Sequence, residues 1–163
     1  MGASEPSTRN LEDAHELGML LAQRGWIVLT GGRPEGVMGA AAAGAKRIPG
    51  SITLGILPGT TGGAGPNVDV AIFTGMGEAR NAINVLTSDV IVAAGIEGPG
   101  TLSEVALALK AGKPVLLLRP SNAARELFQL IRGDALLLEA QSPEQAVRLI
   151  EEELGLARLQ WLP

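Results

Sequence analysis

Apolar positions follow two alternating patterns along the chain. Short runs dominated by Val, Ile, Leu and Ala fall at residues 26–29, 52–57, 70–73, 90–94, 115–118 and 136–138. A strand with one wet face alternates apolar and polar side chains, so these near-continuous runs predict strands covered on both faces. Between them the apolar spacing becomes helical. Leu11, Ala14, Gly18, Leu21 and Ala22 share one helical stripe, and Gly25 is a natural stop. Helices are also predicted over the Ala-rich stretch 36–46, over 78–87, around Leu102, Val105, Ala106 and Leu109 as far as Gly112, and over 123–131. Ser142-Pro143-Glu144-Gln145 pairs a capping hydroxyl with Gln three residues on and Pro at the first helical position, so it opens a last helix. Strand–helix alternation with wholly apolar strands predicts an α/β protein: a single Rossmann-like, doubly wound parallel sheet with helices on both faces. No internal repeat or linker divides the chain, so residues 1–163 are expected to form one domain, with 155–163 as a tail carrying Trp161 and Leu162. The stretch 59–66, Gly-Thr-Thr-Gly-Gly-Ala-Gly-Pro, reads as a flexible loop. The start is unusual. Doubly wound folds usually open on a strand, whereas Met1-Gly2-Ala3-Ser4 resembles the turn that follows one.

Composition narrows the functions. With 46% hydrophobic and 18% charged residues the chain is a folded one. Aromatics are 2%, with no Tyr, so base-stacking recognition of single strands is not expected. The net charge of −4 also argues against nucleic-acid and anionic-membrane partners. There is no Cys, and His15 is the single His, which excludes thiolate chemistry and any zinc site needing two imidazoles. His15 lies among Glu12, Asp13 and Glu16 and reads as a solvated surface residue. No apolar run approaches a membrane span, and the first residues lack a basic-then-apolar leader. A cytoplasmic protein is expected.

Candidate chemistry sits where predicted strands end in glycine. In open parallel sheets ligands bind at the carboxyl ends of strands, beside helix N-termini, and glycine lets backbone N–H groups approach an anion. Gly2-Ala3-Ser4 offers a small hydroxyl and free N–H groups; a plain terminus is the alternative. Thr30-Gly31-Gly32-Arg33-Pro34-Glu35-Gly36-Val37-Met38-Gly39 follows a strand and opens a helix, an anion cradle to which Arg33 adds charge. It is neither a Walker A loop nor Gly-x-Gly-x-x-Gly. Gly98-Pro99-Gly100-Thr101-Leu102-Ser103-Glu104 follows another strand; Thr101 can hold phosphate and Glu104 lies one turn on. Thr-x-x-Glu is equally a capping box, in which Glu104 would serve only its own helix. In Gly75-Met76-Gly77-Glu78-Ala79-Arg80-Asn81-Ala82-Ile83-Asn84, Arg80 and Asn84 are helical neighbours, and Arg80 suits bidentate pairing with phosphate or carboxylate, or else a surface pair with Glu78 or Asp89. Asp69 reads as a loop cap or interface residue, and Met38 and Met76 as packing residues.

Together these segments resemble the Rossmann-like superfamily called "lysine decarboxylase-like", whose LOG members are nucleoside 5′-monophosphate phosphoribohydrolases. Gly31-Gly32-x-x-x-Gly36-Val37-Met38-Gly39 is similar to the LOG glycine motif, and Gly98-x-Gly100-Thr101-x-x-Glu104 to the second half of the LOG Pro-Gly-Gly-x-Gly-Thr-x-x-Glu. Arg80 and Glu104 match the Arg and Glu that serve N-glycosidic cleavage there, while Asn81 stands at the Lys position and Ile96-Glu97 replaces the Pro-Gly. The chain resembles more closely the molybdenum cofactor carrier proteins of algae and cyanobacteria. Residues 25–33, 53–58, 68–72, 74–84 and 98–110 carry that similarity, which spans roughly residues 2–118. Arg80-Asn81 fits that group, which has Arg-Asn or Arg-Asp at this point. The resemblance implies a homodimer or homotetramer that binds a small phosphate-bearing ligand, with molybdopterin as carried cofactor and the metal held by the pterin. The implied ligand set is Gly2, Ser4, Thr30, Gly31, Gly32, Arg33, Gly36, Gly75, Arg80, Asn81, Gly98, Gly100 and Thr101. In the enzyme alternative Arg80 and Glu104 are catalytic, Glu104 stabilising an oxocarbenium-like sugar or activating water. A nucleotide sensor is a third reading.

Overall fold

The computed structural model describes residues 7–96 and 98–155. In chain order these form α1 (Thr8–Gln23), β1 (Val28–Thr30), α2 (Gly36–Ala45), β2 (Thr53–Leu57), β3 (Val70–Phe73), a 3₁₀ turn (Gly77–Arg80), α3 (Asn81–Thr87), β4 (Ile91–Ala94), α4 (Pro99–Lys110), β5 (Val115–Leu118), α5 (Asn122–Ile131), β6 (Leu137–Ala140) and α6 (Pro143–Leu154). The α/β alternation expected from the apolar runs is present, and every strand pairing is parallel. Helix starts are set by short polar side chains. The hydroxyls of Ser7, Ser121 and Ser142 accept the N–H groups of Asn10, Ala124 and Gln145. The Gln145 carboxamide reaches back to accept the Gln141 N–H at 2.7 Å, one residue ahead of the N-cap, so the predicted capping box closes with a one-residue shift.

The strands form two three-stranded sheets, ordered β1-β2-β3 and β4-β5-β6, where the apolar pattern had predicted one. Among the described residues β1 and β4 pair with no common neighbour and not with each other. β5 is the centre of its sheet, and all four of its residues are buried. On one face of β4–β6, Val85, Val105, Leu109 and Phe128 bring α3, α4 and α5 together. On the other, Ala14, Leu17, Val37, Val147 and Ile150 join α1, α2 and α6. The Glu139–Arg125 ion pair, 2.6 Å, lies on the outer strand β6, where Leu117 pairs with Glu139.

Two local devices fix the first sheet. α1 crosses α2 at glycines: a Cβ on Gly18 would collide with the Ala41 carbonyl, and one on Gly44 with the His15 carbonyl. Asp69, expected as a loop cap or interface residue, caps the start of β2. Its Oδ2 accepts the Thr53 N–H at 2.8 Å and the Thr53 hydroxyl at 2.9 Å, while Lys46 Nζ donates to Oδ1 at 2.9 Å. The Lys46 hydrogen bond, reinforced by Thr53, holds the Asp69 carboxyl below its ordinary pKa. A depressed folded-state pKa stabilises the fold above the unfolded value, about 3.9, and this contribution fades as pH falls through the folded one. Asp69→Asn is therefore expected to cost about 1 kcal/mol at pH 7, with the gap to the parent narrowing as pH falls below the unfolded carboxyl value in urea unfolding followed across pH.

Candidate functional site

Two glycine-bearing turns and the start of α3 converge at the carboxyl ends of β1 and β4. A cavity of about 610 Å³ opens there, and its wall includes Thr30, Gly31, Arg33, Arg80, Asn81, Gly98, Gly100, Thr101 and Glu104. These nine come from three separate stretches of sequence and are brought together by the fold. Gly32, Gly36 and Gly75 are not on the cavity wall. They are turn glycines with φ of 76°, 63° and 66°, conformations that side chains resist. Gly32 also lies against β2, where a Cβ would sit 2.9 Å from the Leu57 side chain. The Thr30 hydroxyl accepts the Gly32 N–H at 3.1 Å and so shapes the cradle from inside. Gly2 and Ser4 lie outside the described residues.

Arg80 is the centre of the site. It ends the 3₁₀ turn after β3 and caps α3, with only 5% of its surface exposed. The guanidinium lies under Gly31: a Cβ there would come within 2.7 Å of both Nη1 and the Met38 sulfur. Only glycine leaves room for that contact. Arg80 Nη1 stands 3.9 Å from Glu104 Oε1, and the buried Nε has no partner. Burial lowers the Arg80 pKa, and the charges of Glu104 and Glu78 oppose that shift. Guanidinium is so basic that it remains a cation at neutral pH. The surface pairing of Arg80 with Glu78 or Asp89, one of the sequence alternatives, is not what the structure shows. Exposed Arg33 is the residue that approaches Glu78, at 4.0 Å.

Glu104 also has its alternatives resolved. α4 starts at Pro99 with Gly98 as N-cap, three residues earlier than the capping-box reading requires. Proline fits the first helical position because its missing N–H has no helical partner to lose. Thr101 is then inside the first turn, and Glu104 points away from the helix end, its carboxylate accepting the Asn84 Nδ2 at 3.4 Å. Glu104 is therefore no helix cap. Asn84, which the sequence singled out only as a neighbour of Arg80, belongs to the site. It is 2% exposed, lines the cavity, and its buried Oδ1 has no partner; the Asn81 Oδ1 is likewise buried and unpaired. Buried polar atoms are nearly always satisfied, so these orphan oxygens single out this part of the cavity as a candidate site. The site thus offers a buried cation, two orphan acceptors, a carboxylate and the first turn of α4.

His15 is half-buried, its carbonyl against Gly44. Met76 is exposed and Met38 lines the cavity. Among the described residues no group of three or more His, Cys, Asp or Glu is placed to hold a metal ion. None of the described helices is long and apolar enough to cross a membrane.

The fold and site define a parallel α/β protein that gathers glycine turns and a buried arginine at the carboxyl ends of two strands. The chain belongs to the SLOG cluster4 family, whose description matches residues 1–147. It is similar to the molybdenum cofactor binding protein from the phototrophic bacterium Rippkaea orientalis, at 47% identity and a TM-score of 0.87, covering 93% of this chain and 91% of that one. It is also similar to the molybdenum cofactor carrier protein of Chlamydomonas reinhardtii, at 43% identity and a TM-score of 0.88, with 95% of each chain covered. A protein of Archaeoglobus fulgidus is 41% identical over 120 residues, 74% of this chain and 78% of the other. The resemblance read from the motifs therefore holds: the chain is a molybdenum cofactor carrier-like member of the SLOG/LOG superfamily.

Proposed function

We propose that this protein binds the molybdenum cofactor through its phosphate and pterin, holding it without chemical change. One observation carries the reading. A buried arginine with an unpartnered Nε lies beneath Gly31 and beside orphan carboxamide oxygens, in a fold shared nearly end to end with two molybdenum cofactor binders. The phosphate would lie against the first turn of α4, where Gly100 and Thr101 present backbone N–H groups and the helix dipole favours an anion. Arg80 would neutralise its charge from below. The carboxamide oxygens of Asn81 and Asn84 suit the N–H donors of a pterin edge, and the metal would stay on the pterin's own sulfurs. The anionic ligand offsets the cost of keeping Arg80 dry, which Glu104 at 3.9 Å does only in part.

Self-association and work in the cytoplasm belong to the same proposal. The exposed apolar residues Val70, Ile72 and Phe73 on edge strand β3 offer a surface that a second copy would cover.

The position of Glu104 favours one second reading. Its carboxylate faces the cavity instead of capping α4, as phosphoribohydrolysis of a nucleoside monophosphate would require. The two readings separate on titration and turnover. Thr101→Val should weaken cofactor binding roughly 5- to 100-fold in calorimetry by removing one hydroxyl contact. Glu104→Gln should retain binding, and neither parent nor variant should release free base from AMP. Base release by the parent that Glu104→Gln abolishes would establish the enzyme instead.

A further inference from the structure

Asn84 on α3 and Glu104 on α4 meet where the two helices are locked together. The residue after each, Val85 and Val105, is wholly buried in the same apolar cluster. The Asn84 backbone is held as well: its carbonyl accepts the Ser88 N–H at 3.2 Å and the Ser88 hydroxyl at 2.8 Å. The remaining freedom of Asn84 is a half-turn of its carboxamide, which exchanges the oxygen with the nitrogen.

Glu104 settles that choice. A carboxylate accepts hydrogen bonds and donates none. Its Oε1 accepts the Asn84 Nδ2 at 3.4 Å and stands 3.9 Å from Arg80 Nη1. The turned carboxamide would set oxygen against oxygen with no proton between them. Asn84 therefore keeps its nitrogen toward Glu104 and its Oδ1 away from it, and that oxygen is buried with no partner. Asn81, three residues earlier on the same side of α3, carries a second buried Oδ1 without a partner. Asn81, Asn84 and Glu104 all line the cavity. A ligand that completes this wall must bring N–H donors.

We infer that Glu104 determines specificity: by fixing the Asn84 carboxamide with its oxygen free, it makes the site select rings with an amino-lactam edge and reject the same ring with an oxo group in place of the amine. The inference rests on the reading of this cavity as the ligand site. Pterins and guanine nucleotides both carry an amino-lactam edge, whereas a lumazine has oxygen where a pterin has the amine. An oxo group facing Asn84 Oδ1 leaves two buried acceptors without a proton, the kind of mismatch that polar sites reject strongly. With Gln at 104 the constraint goes, because a carboxamide donates as well as accepts. Asn84 can then turn and offer its nitrogen to an oxo group. Glu104 thus acts through Asn84, as a positioning residue.

The test titrates 6-hydroxymethylpterin phosphate and 6-hydroxymethyllumazine phosphate into the full chain, Glu104→Gln and Asn84→Leu, with GMP as a third probe. The parent is expected to hold the pterin about tenfold or more tighter than the lumazine. In Glu104→Gln the ratio should fall to within about threefold, with the lumazine bound more tightly than by the parent. Damaged packing would weaken both ligands and does not produce that gain. Asn84→Leu removes the carboxamide and should also lose the ratio, which keeps the proposal falsifiable if Glu104→Gln folds poorly. A full ratio surviving in either variant would overturn the proposal, as would equal binding of pterin and lumazine by the parent. GMP held more tightly than the pterin, with the selection against lumazine intact, would support the selection, make a guanine nucleotide its source and contradict the cofactor reading alone. A parent that binds none of the three would overturn both.

Discussion

Arg80→Ala is expected to weaken binding of the molybdenum cofactor by about 100-fold, the largest effect of any single change at the site. A charge-assisted hydrogen bond contributes about 1.5–3 kcal/mol, and here the cation is shielded from water beneath Gly31. The substitution also leaves the Glu104 carboxylate, 9% exposed, with the Asn84 carboxamide as its hydrogen-bond partner. A buried charge that loses its counter-ion costs about 3–5 kcal/mol at the upper end, and the 3.9 Å separation of this pair places the expected loss below that. Arg80→Lys divides the two effects. It keeps the charge near Glu104 and loses the planar fork, so Tm should recover while affinity stays low in the same calorimetric titration. Affinity for Arg80→Ala within threefold of the parent would remove Arg80 from the ligand site.

The second large effect concerns stability. Gly44→Val is expected to cost 3 kcal/mol or more, seen as a Tm fall of about 6–12 °C. The added Cβ meets the His15 carbonyl, a backbone atom that no rotamer change can move aside. α1 must then shift away from α2, and α1 is one wall of the cavity. Gly100→Ala is the control. Nothing lies within 4 Å of its Cβ position, so Tm should hold or rise slightly, as alanine favours the helix.

The sequence made the α/β alternation legible because each strand is an apolar run and each helix a stripe, signals that need no tertiary knowledge. Boundaries were legible only in part. The run 136–138 marks a strand that in fact extends through Glu139 to Ala140, because an apolar-run criterion stops at a polar residue. Glu139 stays in the ladder opposite Leu117 and satisfies its charge with Arg125. The run at 26–29 begins ahead of β1 because its partner β2 starts at Thr53, opposite Val28.

For the site, glycine turns after strands announced Gly31, Gly98 and Gly100, and helical spacing brought Asn84 beside Arg80. What spacing could not decide was where each polar group points. Thr101-x-x-Glu104 has the form of a capping box, and only the position of Pro99 in the first turn turns Glu104 toward Arg80 and Asn84. Nor did the glycines announce their separate roles. Gly31 makes room for a guanidinium, Gly32 packs on β2, and Gly18 and Gly44 let two helices touch. Each role depends on a partner distant in sequence. The grouping of the strands into two sheets, β1-β2-β3 and β4-β5-β6, became visible only in three dimensions.

The central claim is that the site holds an intact molybdenum cofactor. The most direct measurement loads the purified protein with the cofactor anaerobically, removes the excess, and assays the retained fraction for pterin fluorescence and molybdenum together. Both are expected to be retained in equal amounts by the parent chain, to be largely lost from Arg80→Ala, and to be recovered chemically unchanged. No retention of pterin by the parent, with free base released from a nucleoside 5′-monophosphate under the same conditions, would contradict it.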